Sequence, residues 1–233
     1  MKKLDISKKI IGVLGRPSVD DENDKLVAIY DDVRTSIIKK DCIPFMFVPL
    51  STVDYISTKT SDMPKLTDNE KEVLRNMVDI CDGIIIPGGY KWFEYDEYVV
   101  KYAIEKDIPV LGICMGMQLL SSIDNGGLSL ELNETKINHR QRKEKYVHSI
   151  SIIDNTLLYN IINNNKINVN SNHRYHAVKV NNFVVSAYSE DGLIEAIELQ
   201  NKKFVLGVQW HPEKMLDYDE YANKLYDCFI GKC

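Results

Sequence analysis

Gly112-Ile113-Cys114-Met115-Gly116 sets a cysteine between glycines two residues before it and two residues after it. That spacing suits a sharp strand-to-helix turn, with the central side chain thrust out at the C-terminal edge of a sheet. A thiol so placed sits at a helix N-terminus, whose dipole favours the nucleophilic thiolate. The same residues also suit a buried structural cysteine, a common fate of a free thiol, and the spacing alone does not choose between the two. A base for the thiol is offered by Gln209-Trp210-His211-Pro212-Glu213. His211 can take the proton of Cys114 and Glu213 can orient the imidazole, a nucleophile–base–orienter arrangement. Pro212 stiffens the joint and biases His211 away from helix. By itself His211 reads as a structural histidine at a strand end. Beside a cysteine elbow, with a glutamate two residues on, catalysis is the better reading. Attack on an amide would build an oxyanion. The backbone amides of Met115 and of Gly89, in the neighbouring Gly88-Gly89 turn, are natural donors, each worth roughly two to three orders of magnitude in rate. A glycine pair alone is usually an ordinary turn.

These residues are far apart in sequence, so folding must join them. Ile10 to Gly15 reads as a first buried strand and Arg16-Pro17-Ser18 as a turn. Leu26, Ile29, Tyr30, Val33, Ile37 and Ile38 recur at helical spacing. Ile43 to Val48 is a second strand, with Pro44 near its start. Ser51 to Pro64 reads as loop, and Thr67 with Glu70 as a capping box opening a helix. Asp82 to Gly89 is a third strand ending in the glycine turn, Tyr98 to Lys106 is a helix, and the cysteine elbow follows. Apolar strands separated by helices predict an α/β fold with a mostly parallel central sheet and helices on both faces. Ligands bind beyond the carboxyl ends of such strands, where Gly88-Gly89 and Cys114 both lie. After Asp124 the pattern changes. Asn125-Gly126-Gly127 reads as a turn, Asn133 to Lys145 as a polar stretch, Val147 to Ile153 as a strand and Asn163-Asn164-Asn165 as a turn. Ala177–Val180, Phe183–Tyr188, Leu193–Leu199 and Phe204–Gln209 read as hairpin-like strands, a C-terminal antiparallel extension of the sheet. Leu216 to Phe229 closes the chain as an amphipathic helix.

With 233 residues, 44% of them hydrophobic, the chain can bury one sizeable core, and no linker or repeat marks a boundary, so 1–233 reads as one domain. A net charge of −5 argues against a nucleic-acid partner. The five cysteines, Cys42, Cys81, Cys114, Cys228 and Cys233, are odd in number and widely spaced, which argues against a disulfide framework or a zinc site. The apolar run after the basic start is too short for a signal peptide, and no run reaches spanning length. The expectation is a reduced, soluble, cytoplasmic protein with no membrane contact.

The elbow, the Ile84-Ile85-Ile86-Pro87-Gly88-Gly89 run and Gln209-Trp210-His211-Pro212-Glu213 together resemble a class I glutamine amidotransferase domain. Ile11-Gly12-Val13-Leu14-Gly15-Arg16-Pro17 and Val169-Asn170-Ser171-Asn172-His173 make the chain similar to its free-standing peptidase C26 branch, the γ-glutamyl-γ-aminobutyrate hydrolase-like proteins. The resemblance runs from the first strand to the last. It implies a flavodoxin-like amidotransferase fold and the roles of nucleophile for Cys114, general base and acid for His211 and orienting carboxylate for Glu213. Gly89 and Met115 would supply oxyanion amides. Gly88, Gln118 of the C-x-G-x-Q motif and His173 would border or hold the glutamyl moiety. No metal or organic cofactor is implied. The chain departs from the branch in two places: lysine, not aspartate, stands two residues after the glycine pair, at Lys91, and Arg174-Tyr175-His176 replaces the usual histidine-glutamine. With Trp92 and Phe93, Lys91 and Arg174 would suit an aromatic or anionic leaving group. The expected activity is hydrolysis of the γ-glutamyl amide bond of a small conjugate through a Cys114 thioester. The alternatives are a glutaminase subunit feeding ammonia to a synthase and, in a different class, a non-catalytic binding protein. A homodimer or a synthase partner stays open.

Overall fold

The computed structural model describes residues 7–59, 62–124, 129–132 and 135–233. Along the chain come β1 (Ile10–Leu14), β2 (Arg16–Val19), β3 (Lys25–Ala28), α1 (Asp31–Lys39), β4 (Ile43–Phe47), α2 (Asp68–Val78) and β5 (Gly83–Ile86). Then come α3 (Glu94–Glu105), β6 (Val110–Ile113), α4 (Met115–Ile123), β7 (Ser129–Glu131), β8 (His148–Ile152), α5 (Leu157–Ile162) and β9 (Lys166–Val169). The last are β10 (Tyr175–Ala177), β11 (Val184–Ser189), β12 (Ile194–Glu198), β13 (Val205–Val208) and α6 (Glu220–Lys232).

Among the described residues, nine strands form one sheet in the order β4-β1-β5-β6-β13-β12-β11-β8-β9. From β4 to β13 neighbours run parallel, and from β13 to β9 they run antiparallel. The expected α/β architecture is therefore present, with its antiparallel extension. Side chains alternate between faces along each strand. Ile11, Val13, Ile85 and Leu111 enter one core with Val33 and Ile37 of α1, Leu158 of α5 and Leu225 and Phe229 of α6. Leu14, Ile84, Ile86 and Val110 enter the other with Leu74 of α2, Val99 of α3 and Leu119 of α4. β1, β5 and β6 are thus covered on both sides, which is why they read as continuously apolar, while β4 at the edge is only partly buried.

Several local expectations are corrected. Arg16-Pro17-Ser18 is not a turn but most of β2, paired antiparallel with β3. The turn lies at Asp20–Asp24, where the Asp20 carboxylate accepts from the amides of Glu22 and Asp24 and Asn23 takes the left-handed conformation. Leu26 therefore belongs to a hairpin, and the helix starts only at Asp31. α3 starts a turn earlier than Tyr98, because the Asp96 carboxylate accepts from the Phe93 amide at 2.7 Å. Thr67 and Glu70 form the expected capping box. The asparagine run is a helix stop: Asn163 is left-handed at the C-cap of α5, an element the sequence reading omits together with β9. The strand expected at Ala177–Val180 shares only Ala177 with β10, which pairs with β7 away from the main sheet. α6 begins at Glu220 rather than Leu216, capped by the Asp219 carboxylate on the Ala222 amide. The Asn125-Gly126-Gly127 turn lies outside the described residues. Among those residues no helix is long and apolar enough to cross a membrane.

Candidate active site

Cys114 occupies the single position between β6 and α4, at φ 53° and ψ −106°. A side chain in that region costs about 1–3 kcal/mol and persists only where the surroundings over-determine it. Here they do. The Cys114 amide donates to Val208 O at 2.8 Å, tying the elbow to the end of β13. Gly116 presses α4 onto the sheet so closely that a Cβ would stand 2.1 Å from Ile86 O. β13 lies beside β6 with Val208 opposite Ile113, so the residues just beyond these two strands converge. This register joins Cys114 and His211.

His211 is fixed by its backbone. Its amide donates to Asn170 Oδ1 at 2.8 Å, and Asn170 Nδ2 donates back to His211 O at 2.9 Å. The short 3₁₀ turn Pro212–Lys214 returns Glu213 to the ring, and Nδ1 donates to Glu213 Oε1 at 2.7 Å. That bond leaves Nε2 as the nitrogen that can accept a proton, and it has no hydrogen-bond partner among the described residues. Burial works against a charge on the imidazole, but attraction to Glu213 and to Cys114 outweighs it and raises the His211 pKa to about 10. Cys114, His211 and Glu213 are all buried, and all three line a small cavity of about 80 Å³.

Gly88 and Gly89 form part of the same wall. A Cβ on Gly88 would reach within 3.1 Å of His211 Cε1, and one on Gly89 within 3.2 Å of Met115 Sδ. The glycine turn therefore touches both the base and the start of α4. The Met115 amide opens α4 and has no acceptor within the helix. The turn is backed by Arg16, whose guanidinium pairs with the fully buried Asp96 at 2.6 Å and reaches Pro87 O at 3.4 Å. Burial raises the Asp96 carboxyl above its ordinary range despite the Arg16 charge.

Other expected residues are placed differently. Both Nε2 protons of Gln118 are taken, by Tyr175 O at 2.7 Å and Gln209 Oε1 at 3.2 Å. Only its Oε1 could face a substrate. The Asn170–His173 segment does border the cavity, through Asn172, whose carbonyl lies 4.0 Å from Cys114 Sγ. The His173 side chain turns away: its Nε2 lies 3.6 Å from Glu195 Oε1 in a buried group with His139 and His148. Trp92 and Phe93 do not line the cavity. Phe93 stacks on Tyr95 and also lines, with Lys91, a larger cavity next to this one, whereas Trp92 packs against the core. The aromatic residues at the thiol are Tyr30 and Tyr90, which also line an adjoining cavity of about 290 Å³ with Lys91, Arg16 and Leu26. The cations at the Cys114 cavity are Arg142 and Lys214. Arg142 gave no sequence signal, because it sits in a polar stretch without periodicity. Asn170 was visible only as part of a motif, not as the clamp on His211.

The chain is similar in sequence and fold to known proteins. Residues 93–213 match the peptidase C26 family model. A protein of Rickettsia prowazekii described as glutamine amidotransferase-like is 34% identical, over 66% of this chain and 78% of its own. The CTP synthase of Sulfurisphaera tokodaii is 31% identical over 63% of this chain but only 33% of its own, so the chain corresponds to about a third of that enzyme. In fold, the chain is similar to the glutaminase domain of Trypanosoma brucei CTP synthase, solved with bound acivicin, with a TM-score of 0.63 at 17% identity over 97% of this chain and 94% of that one.

Proposed function

The chain belongs to the peptidase C26 family of glutamine amidotransferase-like hydrolases, and on that premise we propose that it hydrolyses the γ-glutamyl amide bond of a small conjugate. The observation that carries the reading is the strained Cys114 elbow sharing one cavity with a His211–Glu213 pair bonded at 2.7 Å. With its proton already held at His211 Nε2, Cys114 Sγ attacks the amide carbonyl carbon. The carbonyl oxygen gains the negative charge and accepts from the Gly89 and Met115 amides. As the C–N bond breaks, His211 returns that proton to the leaving amine, and the acyl group remains on sulfur as a thioester. Water then attacks, giving its proton to His211. The C–S bond breaks, glutamate leaves, and the Cys114–His211 pair is restored with the proton on His211. Glu213 holds the imidazole by Nδ1 throughout and stabilises its charge.

Arg142 and Lys214 line the cavity and offer positive charge to the α-carboxylate of a glutamyl group bound there. Replacing Arg142 by alanine removes a charge-assisted contact worth about 1.5–3 kcal/mol. The expected result is a rise in KM of roughly ten- to a hundredfold with kcat little changed. An unchanged KM would remove Arg142 from substrate binding. Beyond Gly89, the adjoining cavity offers Leu26, Tyr30 and Lys91 to the leaving amine.

The experiment that tests the function is a panel of γ-glutamyl amides, glutamine included, assayed for glutamate release by the protein alone. Rapid turnover of conjugates supports the hydrolase. A second reading, a glutaminase that supplies ammonia to a synthase, is favoured by the 31% identity to a third of a CTP synthase. It predicts preference for glutamine and slow turnover until a partner is added. No glutamate release from any amide would discard both readings.

A further inference from the structure

Behind the Asn170–His173 segment, away from Cys114, three buried histidines surround a buried carboxylate. Glu195, on β12, is fully buried, and neither of its carboxylate oxygens has a hydrogen-bond partner among the described residues. Its Oε1 lies 3.6 Å from His173 Nε2, 3.7 Å from His148 Nε2 and 3.9 Å from His139 Nδ1. These separations are too long for hydrogen bonds. They are close to the ~3.3 Å that separates ligands in a tetrahedron with metal–ligand bonds of about 2.0–2.1 Å.

The outward ring nitrogens decide which atoms face inward. His148 Nδ1 donates to Ser149 O at 3.2 Å, and His173 Nδ1 donates to Tyr175 O at 3.0 Å. His139 Nε2 donates to Asp191 Oδ2 at 3.1 Å, and Ser189 Oγ donates to the other Asp191 oxygen at 2.6 Å. Carbonyls and carboxylates only accept. Each histidine therefore spends its ring N–H on the outside, and a neutral ring then turns a bare lone pair towards Glu195. The Ser171 hydroxyl, 3.2 Å from His139 Nδ1, has one proton and a second acceptor for it, His139 O at 3.1 Å. Three imidazole lone pairs and a carboxylate facing one another in a buried interior repel, and a cation standing among them relieves that. An outer carbonyl or carboxylate on the far nitrogen of each ring is also the arrangement that orients histidines on metals.

We propose that His139, His148 and Glu195 bind a divalent first-row transition ion, zinc being the best match to two nitrogens and one oxygen. The charges agree: the carboxylates of Glu195 and Asp191 together balance a divalent ion. Magnesium and calcium are excluded by their demand for oxygen ligands. The ion's ligand Glu195 lies 3.6 Å from His173 Nε2, so the ion steadies His173 and through it Asn172, whose carbonyl lies 4.0 Å from the thiol, and Asn170, which clamps His211. It is a positioning ion and takes no part in bond making. Its existence does not depend on the amidase reading.

The test uses the whole chain, stripped with a strong chelator and resupplied with zinc chloride alone. The wild-type protein is expected to keep one zinc per chain against a competing chromophoric chelator and to melt at a higher temperature than the stripped form. Cobalt in place of zinc is expected to give the intense visible bands of a four-coordinate site. The Cys114→Ala variant keeps the ion, which separates this site from adventitious binding at Cys114 and His211. His176→Gln, outside the group, also keeps it. Glu195→Gln and His148→Gln are expected to weaken binding by about a hundredfold or more. The proposal is overturned if the resupplied wild type holds no zinc, if Glu195→Gln holds it equally, or if binding is lost with Cys114→Ala. The wild-type measurements decide the matter even if a variant fails to fold.

Discussion

Replacing Cys114 by alanine is expected to lower kcat for γ-glutamyl amides by on the order of 10⁵-fold or more, the scale seen when a covalent nucleophile is removed. Alanine keeps the Cβ, and with it the strained φ of 53°. It also keeps the backbone bond to Val208 O and the close packing of Gly116 on Ile86. The variant should therefore fold and melt within a few degrees of the wild type, and the loss should be one of chemistry. A second measurement separates an activated thiol from a merely accessible one. A glutamine-like chloroketone is expected to label Cys114 before Cys42, Cys81, Cys228 or Cys233. Burial pushes those four thiols above their ordinary range, Cys81 and Cys233 to about 12. Turnover that survives Cys114→Ala, or labelling spread evenly over Cys228 and Cys114, would remove the thioester from the mechanism.

The elbow and the base were legible in the sequence because their geometry is local. A residue between glycines at minus two and plus two has few ways to leave a strand, and His211-Pro212-Glu213 holds its two side chains together over three residues. The parallel half of the sheet was legible for a related reason: strands buried on both faces must be apolar throughout. Misreadings arose where one pattern serves two structures. Leu26 falls in helical register with Val33 and Ile37 but belongs to a hairpin set by the Asp20 side chain. Trp92 follows the glycine turn yet packs against the core instead of lining the Cys114 cavity. The rest was hidden because it exists only in three dimensions. Arg142 lines the Cys114 cavity from an aperiodic stretch. His139, His148, His173 and Glu195 are each unremarkable in their own segments, and reading metal sites from cysteine spacing passes over them. Only the folded arrangement of the stretch before β8, β8 itself, β12 and the segment before β10 brings them together.

The Asn170–His173 segment connects the two centres. Asn170 holds the backbone of His211 with two hydrogen bonds. Asn172 places its carbonyl beside the thiol, while His173 faces Glu195. Gln118 donates to Tyr175 O, two residues on, and so braces the same segment from α4. A change in the histidine group would therefore reach the candidate active site through backbone position rather than through charge. This is a further reason to measure zinc content and melting before activity.

Replacing Glu213 by glutamine is expected to lower kcat by on the order of 10³–10⁴-fold, as when a triad carboxylate becomes an amide that no longer fixes the tautomer. The pH dependence gives the sharper signature. The raised value of His211, about 10, means that the folded protein holds the imidazole proton more tightly than the unfolded chain does. The resulting stability is complete below the ordinary imidazole value of about 6.5. It declines as the pH rises from there and is lost through about 10. In the wild type the alkaline limb of kcat/KM should accordingly lie near pH 10, where His211 can no longer protonate the leaving amine. Without the carboxylate, burial dominates and the imidazole proton is held less tightly. The limb should then move down by roughly one to three pH units. Urea melts at pH 6 and pH 10 supply the check that does not depend on activity: the stability gap between wild type and Glu213→Gln should narrow at the higher pH. An unmoved alkaline limb, together with a gap of equal size at both pH values, would mean that Glu213 does not set the protonation of His211.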